Sequence, residues 1–235
     1  MTITKEQNHS INWLNFYHSA VGKKIITGIT GFGLTLFVLF HMIGNWVFLS
    51  DRQAYNQLAH WIDSLSFLLY AVELILLAAV IFHIVVGISI RLQARRSRPE
   101  AYSQLKSAGN PSKQSLSSRS MAITGVIVLL FLVWHLWSFK FGKYYATTIN
   151  GIAMRDLSQL VSEKFHNPVY AFGYTGAIAL LGIHLRHGIW SAGQSLGVLS
   201  GGISSQFYKI SWFLAIVIAI GFIVLPLSVY FNLVG

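Results

Sequence analysis

Five apolar runs, each long enough to cross a bilayer, constrain this chain more than any other feature. A helix rising about 1.5 Å per residue needs roughly 20 residues to span ~30 Å of hydrocarbon. Residues 25–49, 65–90, 121–139, 169–189 and 210–234 meet or approach that length. The first and last runs carry no charged residue, the second only Glu73 and the fourth only Arg186, near its end. In lipid every backbone polar group must find its partner within the segment, so runs of this kind are helices. Pro168 stands just before the fourth run, where it suits a helix start, and Pro226 predicts a kink in the fifth. Composition agrees: 54% of the 235 residues are apolar and only 10% charged, against about 25% charged in ordinary soluble domains. With a mean hydropathy of +0.58, disorder is excluded, and no internal repeat marks a solenoid. The expected fold is an all-α integral membrane protein of five transmembrane helices, a single membrane domain over residues 1–235.

Charge orients it. Lys and Arg number 17 against 7 Asp and Glu, a net +10. The basic residues cluster in loops beside the apolar runs, which is the pattern of cytoplasmic positive charge in a membrane protein and argues against a nucleic-acid partner. The loop after the second run holds Arg91, Arg95, Arg96, Arg98, Lys106, Lys113 and Arg119 against one acid, Glu100. That loop is read as cytoplasmic, which puts the N-terminus inside and the C-terminus outside. The outer loops then hold only Arg52, Lys140, Lys143, Arg155 and Lys164. The Ser, Gly and Asn content of 97–118 reads as a solvated linker. Residues 1–19 lack the apolar core of a secretory signal, so the first span is expected to be retained. Within a cytoplasmic segment 1–24, Ile11, Leu14, His18 and Val21 follow helical spacing and predict a short interfacial helix. The chain has no cysteine, which excludes disulfides, covalently attached c-type haem and any iron–sulfur cluster of its own.

His41, His83, His135 and His184 fall one per run in the first four runs. An imidazole in hydrocarbon is costly without a partner. Counting along the helices, His41 lies ~24 Å and His135 ~21 Å from the inner end of its span, whereas His83 and His184 lie only ~7–11 Å from it. Two pairs at two depths, each drawn from two helices, is the arrangement that bis-histidine ligation of two stacked b-type haems requires, since each iron takes one axial imidazole per face. The layers are separated by roughly 10–15 Å along the membrane normal. Gly44, Gly87 and Gly188 lie one turn from His41, His83 and His184, where a porphyrin needs clearance; helix packing explains such glycines equally well. His187, three residues after His184, is the competing ligand, one turn nearer the inner surface.

The chain resembles the cytochrome b anchor subunits of the succinate:quinone oxidoreductase family, of the type with one five-helix polypeptide and two haems. The resemblance covers nearly the whole chain. Local strings carry it as well: Ser19-Ala-Val-Gly-Lys-Lys24 before the first span, Thr124-Gly125 opening the third, His184-Leu-Arg-His-Gly-Ile-Trp-Ser191 and Gln194-Ser-Leu-Gly197 at the end of the fourth. It implies that the first four helices form a haem-binding bundle in the bacterial cytoplasmic membrane. His83 and His184 would hold the inner haem iron, His41 and His135 the outer. It implies cytoplasmic flavoprotein and iron–sulfur partner subunits, with this chain the quinone-reactive subunit that does none of the dicarboxylate chemistry. The quinone, menaquinone in the usual two-haem type, is expected at the outer end near Glu73, His60 and Trp46, where Glu73 is the only acid within a span and can exchange protons. Haem propionates would look to Thr27, Lys24, His18 and Arg119 near the inner end. Two other readings stay open. One is a different dihaem anchor, as in nitrate reductases or hydrogenases, although those place two ligands on each of two helices. The other is a haem-free transporter with proton-relay histidines.

Overall fold

The computed structural model describes residues 13–97, 116–198 and 203–234. In chain order these form α1 (Trp13–His18), α2 (Ala20–Ser50), α3 (Arg52–Ser64), α4 (Phe67–Arg96), α5 (Leu116–His135) with a π-helical turn at Leu136–Lys140, strands β1 (Ala146–Ile149) and β2 (Ile152–Arg155), then α6 (Leu157–His166), α7 (Pro168–Ser195) and α8 (Ile203–Tyr230). Helices α2, α4, α7 and α8, and α5 together with its π turn, are long and apolar enough to cross a membrane. The protein is an all-α integral membrane protein carrying one small hairpin. Arg98, Lys106, Lys113 and His9 lie outside the described residues, and of Arg119 only the backbone, in α5, is described.

Local chemistry sets the helix ends. Ser19 separates α1 from α2: its hydroxyl donates to the Phe16 carbonyl (2.7 Å) and accepts from the Gly22 N–H (2.9 Å), an N-cap. Any Cβ on Gly22 would collide with the Phe16 carbonyl, so this corner requires glycine. Asp51 ends α2 and starts α3 by accepting from the Gln53 and Ala54 N–H groups at 2.8 and 3.0 Å. Pro168 occupies the first turn of α7, with Asn167 as its cap, as its position in the sequence predicts. Pro226 is carried inside α8 without ending it.

Helix α7 is the centre of the bundle and packs against α2, α5 and α8, while α4 packs chiefly on α2. Buried Ala215, Ile218, Leu225 and Val229 fix one face of α8 in the interior. In lipid, helices associate through such close packing and through interhelical hydrogen bonds; the Trp46 indole donates to the Gly221 carbonyl of α8 at 2.9 Å. Val86 is the one buried residue of α4, so most of that helix is free to face lipid.

Between the spans at the outer end, α3, the hairpin and α6 form a cap over the bundle. The β1–β2 turn is Asn150-Gly151, with both φ angles positive (52° and 79°), the two-residue loop that matches strand twist. Asn56 on α3, 3% exposed, ties the cap together. Its amide donates to Asp156 (2.8 Å) and its carbonyl oxygen accepts from the Ser158 N–H (2.9 Å). Burial pushes the Asp156 carboxyl up, but hydrogen bonds from Gln159, Ser158 and Asn56 and the charge of Arg52 outweigh it and hold the group below its ordinary value. Arg155 donates to the carbonyls of Phe139 (3.0 Å), Gly142 and Lys143 (both 3.3 Å), collecting the free acceptors where the third span ends.

Candidate cofactor site

The four histidines meet in two pairs. On the inner level, His83 of α4 and His184 of α7 have ring centres 6.4 Å apart with the planes at 67°. Each ring rests on a Thr-Gly step of a neighbouring helix. Thr30 of α2 lies 3.3 Å from His83 Nδ1, and a Cβ on Gly31 would stand 3.0 Å from His83 Cε1. Thr124 of α5 lies 3.2 Å from His184 Nδ1, and a Cβ on Gly125 would stand 3.4 Å from its Cε1. Both rings therefore lie close against backbone, within reach of a hydroxyl.

On the outer level, His41 of α2 and His135 at the end of α5 have ring centres 5.7 Å apart at 81°. Here aromatic rings hold the imidazoles. Phe37 stacks on His41 at 5.6 Å and Phe222 of α8 lies 5.8 Å away. Phe131, Phe139 and Tyr174 lie 6.0, 5.5 and 6.1 Å from His135. The π turn begins directly after His135, with Phe141 N–H donating to the Leu136 carbonyl at 2.9 Å, and brings Phe139 back toward the ring. Asn45 donates to the His41 carbonyl at 2.8 Å and faces His41 Nε2 at 3.4 Å; the Tyr55 hydroxyl donates to Asn45 Oδ1 at 3.1 Å. Burial raises the Tyr55 phenol above its ordinary value, opposed by the charge of Arg155, so it stays a donor at neutral pH.

These pairs fit a six-coordinate metal between two imidazoles. Two metal–nitrogen bonds of about 2 Å each put facing ring centres roughly 6 Å apart, close to the 6.4 and 5.7 Å found here. Room for a flat macrocycle is present too: Gly44, Gly87 and Gly188 are each half-buried, yet a Cβ on any of them would meet nothing within 4 Å. Among the described residues no cluster of three or more His, Cys, Asp or Glu could hold a free metal ion. Paired imidazoles are suited instead to a metal that brings its other ligands with it.

The remaining candidates are dispersed. Glu73 of α4 forms an ion pair with Lys140 at the end of the π turn, joining the second and third spans. Trp46 is engaged with α8, and His60 lies half-buried on α3. No hydrogen bond, ion pair or ring contact joins Glu73, His60 and Trp46 to one another. At the inner end the Thr27 hydroxyl donates to the Lys23 carbonyl at 2.9 Å, Lys24 is exposed, and His18 is exposed with its ring edge-on to Tyr17 at 5.3 Å. Arg186 reaches Tyr208 of α8, donating to its hydroxyl and lying over its ring.

One similarity bears on the family. The chain is 24% identical over 200 residues, 85% of its own length and 89% of the relative's, to the succinate dehydrogenase cytochrome b558 subunit of Bacillus subtilis (strain 168). The similarity thus runs over most of both chains and is to a cytochrome subunit of succinate dehydrogenase. No family model and no solved structure matches it. With five apolar spans and this relative, the chain is a multi-pass protein of the bacterial cytoplasmic membrane.

The residues that the fold sets beside the histidines were not legible in the sequence. Thr30, Asn45 and Phe222 carry no signal of their own in a span, and Thr124-Gly125 stands out only as part of the resemblance. Lys140 as the partner of Glu73 was equally hidden, because an ion pair 67 residues apart depends on how two helices face each other.

Proposed function

We propose that the chain is the cytochrome b membrane subunit of a succinate:quinone oxidoreductase and that it holds two b haems, the inner between His83 and His184 and the outer between His41 and His135. The pairing of four histidines in two layers is the observation that carries the reading; the Bacillus relative supports it. Bound haem supplies single-electron transfer at each level. The chain's own residues do the rest: imidazoles fix each ring from both faces, and aromatic side chains exclude water from the outer level. Thr27, Lys24 and His18 stand near the inner end, as does the backbone of Arg119, and these four residues would meet propionates. A flavoprotein and an iron–sulfur subunit would dock on the basic cytoplasmic side and exchange electrons with the inner level.

The quinone, menaquinone in this reading, would react at the outer end. Glu73 is the group that exchanges its protons, with His60 and Trp46 at the same end of the bundle. Lys140 pairs with the Glu73 carboxylate across the second and third spans.

A reduced-minus-oxidised spectrum of the purified full-length chain or complex, with a haem-to-protein ratio from the pyridine haemochromogen, tests the reading. Two b haems per chain are expected. A folded preparation with none would end it. Glu73→Gln should retain both haems and lose most quinone turnover; unchanged turnover would remove Glu73 from the site.

A further inference from the structure

We propose that Thr30 and Thr124 are positioning residues that fix His83 and His184 in one tautomer, with the proton on Nδ1, so that each ring presents the lone pair of Nε2 to a metal held between them. The inference rests on the haem reading above and adds the means by which this chain sets the inner level apart from the outer.

A neutral imidazole has one donor nitrogen and one acceptor, and the group facing one nitrogen decides the other. A threonine hydroxyl has a single proton. In Thr30 that proton goes to the Ile26 carbonyl at 2.8 Å, with the Thr27 carbonyl a longer alternative at 3.3 Å. In Thr124 it goes to the Ser120 carbonyl at 3.1 Å or the Met121 carbonyl at 3.2 Å. With its proton on a helix carbonyl, each hydroxyl offers the histidine a lone pair, and the nitrogen facing it then donates. That nitrogen is Nδ1 in both rings, at 3.3 and 3.2 Å. Thr124 is 2% exposed, so no competing partner from solvent relaxes the constraint.

The following residue completes the device. Gly31 and Gly125 let each ring approach the helix backbone closely enough to reach the threonine one position earlier; a Cβ at Gly31 would stand within 3.0 Å of His83. The same Thr-Gly step thus occurs on two helices, each serving a histidine of another helix, 53 and 60 residues away. The outer pair has no counterpart. His41 Nε2 faces the Asn45 amide, and among the described residues no hydroxyl lies within hydrogen-bonding distance of either outer ring.

A hydrogen bond accepted from Nδ1 makes the imidazole a stronger electron donor through Nε2, which favours the oxidised metal. Losing it should raise the inner haem's potential and weaken its retention, by roughly 10–100-fold in affinity where second-shell partners of metal ligands are removed.

The test uses the full-length chain in its complex, carrying Thr30→Val, Thr124→Val or both, with Thr30→Ser and Thr124→Ser as controls that keep the hydroxyl. Haem content, a potentiometric titration of the two haem absorbances and the low-spin EPR signals are read together. The expected result is an upward shift of the inner component and a change in its EPR signal in the valine variants, with the outer component unmoved and the serine variants near wild type. Loss of one haem in the valine but not the serine variants would equally support the proposal. Full haem content with both components unmoved in the double valine variant would overturn it, as would serine variants that shift as far as valine. A haem-free wild type is a separate outcome that overturns the cofactor reading and this inference with it.

Discussion

The inner and outer histidine layers solve one geometric problem by different physical means. At the inner level two threonine hydroxyls and two glycines stand against His83 and His184, and among the described residues no aromatic ring besides the partner imidazole contacts either of them. At the outer level His41 and His135 sit among Phe37, Phe131, Phe139, Tyr174 and Phe222, contributed by α2, α5 with its π turn, α7 and α8. A hydrogen bond constrains direction and depends on one atom, whereas packing constrains position and is shared among many contacts. The inner layer should therefore respond to the loss of a single hydroxyl, and the outer to the loss of volume. The cap of α3, hairpin and α6 reinforces the outer layer by linking Tyr55 to Asn45 beside His41.

The largest effect expected is on the layers themselves. His135→Ala or His41→Ala should remove one haem of two and leave the inner spectrum, and His83→Ala or His184→Ala the reverse; any variant that removes both would break the division into two independent levels. Next comes Tyr174→Ala, which empties a site touching Phe131, Trp134, Phe139 and Phe165. Large-to-small changes at packed sites cost about 3 kcal/mol, so thermal stability and outer haem content should fall together while the inner haem persists. A matched loss from both layers would show that packing is not confined to the outer one.

Gly31→Ala comes third. Its Cβ must displace the His83 ring, at a cost of about 1–3 kcal/mol for overpacking, and inner haem content should drop. Gly125→Ala, where the contact is an ordinary 3.4 Å, should do less; the opposite order would place the closer contact at α5. Asn56→Ala removes a buried amide that donates to Asp156 and accepts from Ser158 N–H. It should cost about 2 kcal/mol, read as a lower melting temperature, with the outer level affected before the inner.

The smallest effect is one of pH. Asp156 has its pKa lowered in the folded cap, so its contribution is fully present above the unfolded carboxylate value of about 4 and is lost as pH falls through the folded value. Melting temperature should decline below about pH 4 and show no dependence on this group near neutrality. Asp156→Asn should flatten that acid limb, and an identical limb in both proteins would remove Asp156 from the cap's stability.

Much of this architecture is legible along the chain, and the limits have physical causes. The hairpin was readable in principle, since Asn150-Gly151 between Ile149 and Ile152 is a two-residue turn signal, but a search for long apolar runs passes over strands of four residues. The cap helices α3 and α6 are likewise short and of mixed polarity, and they hold their place through Asn56, Asp156 and Ser158 instead of through a long apolar face. Trp46, placed by depth near Glu73, turns to the Gly221 carbonyl instead. Depth is a one-dimensional quantity and says nothing about which way around its helix a side chain points.

The sequence by itself determined the five spans and the depths of the four histidines, because lipid leaves the backbone no alternative to the helix and the helix rises by a fixed amount per residue. The tertiary structure alone decided what each imidazole faces: hydroxyl and glycine at one level, aromatic rings at the other. Those contacts join residues far apart in the chain, and they follow from the rotation and crossing of packed helices, which many small contacts set together.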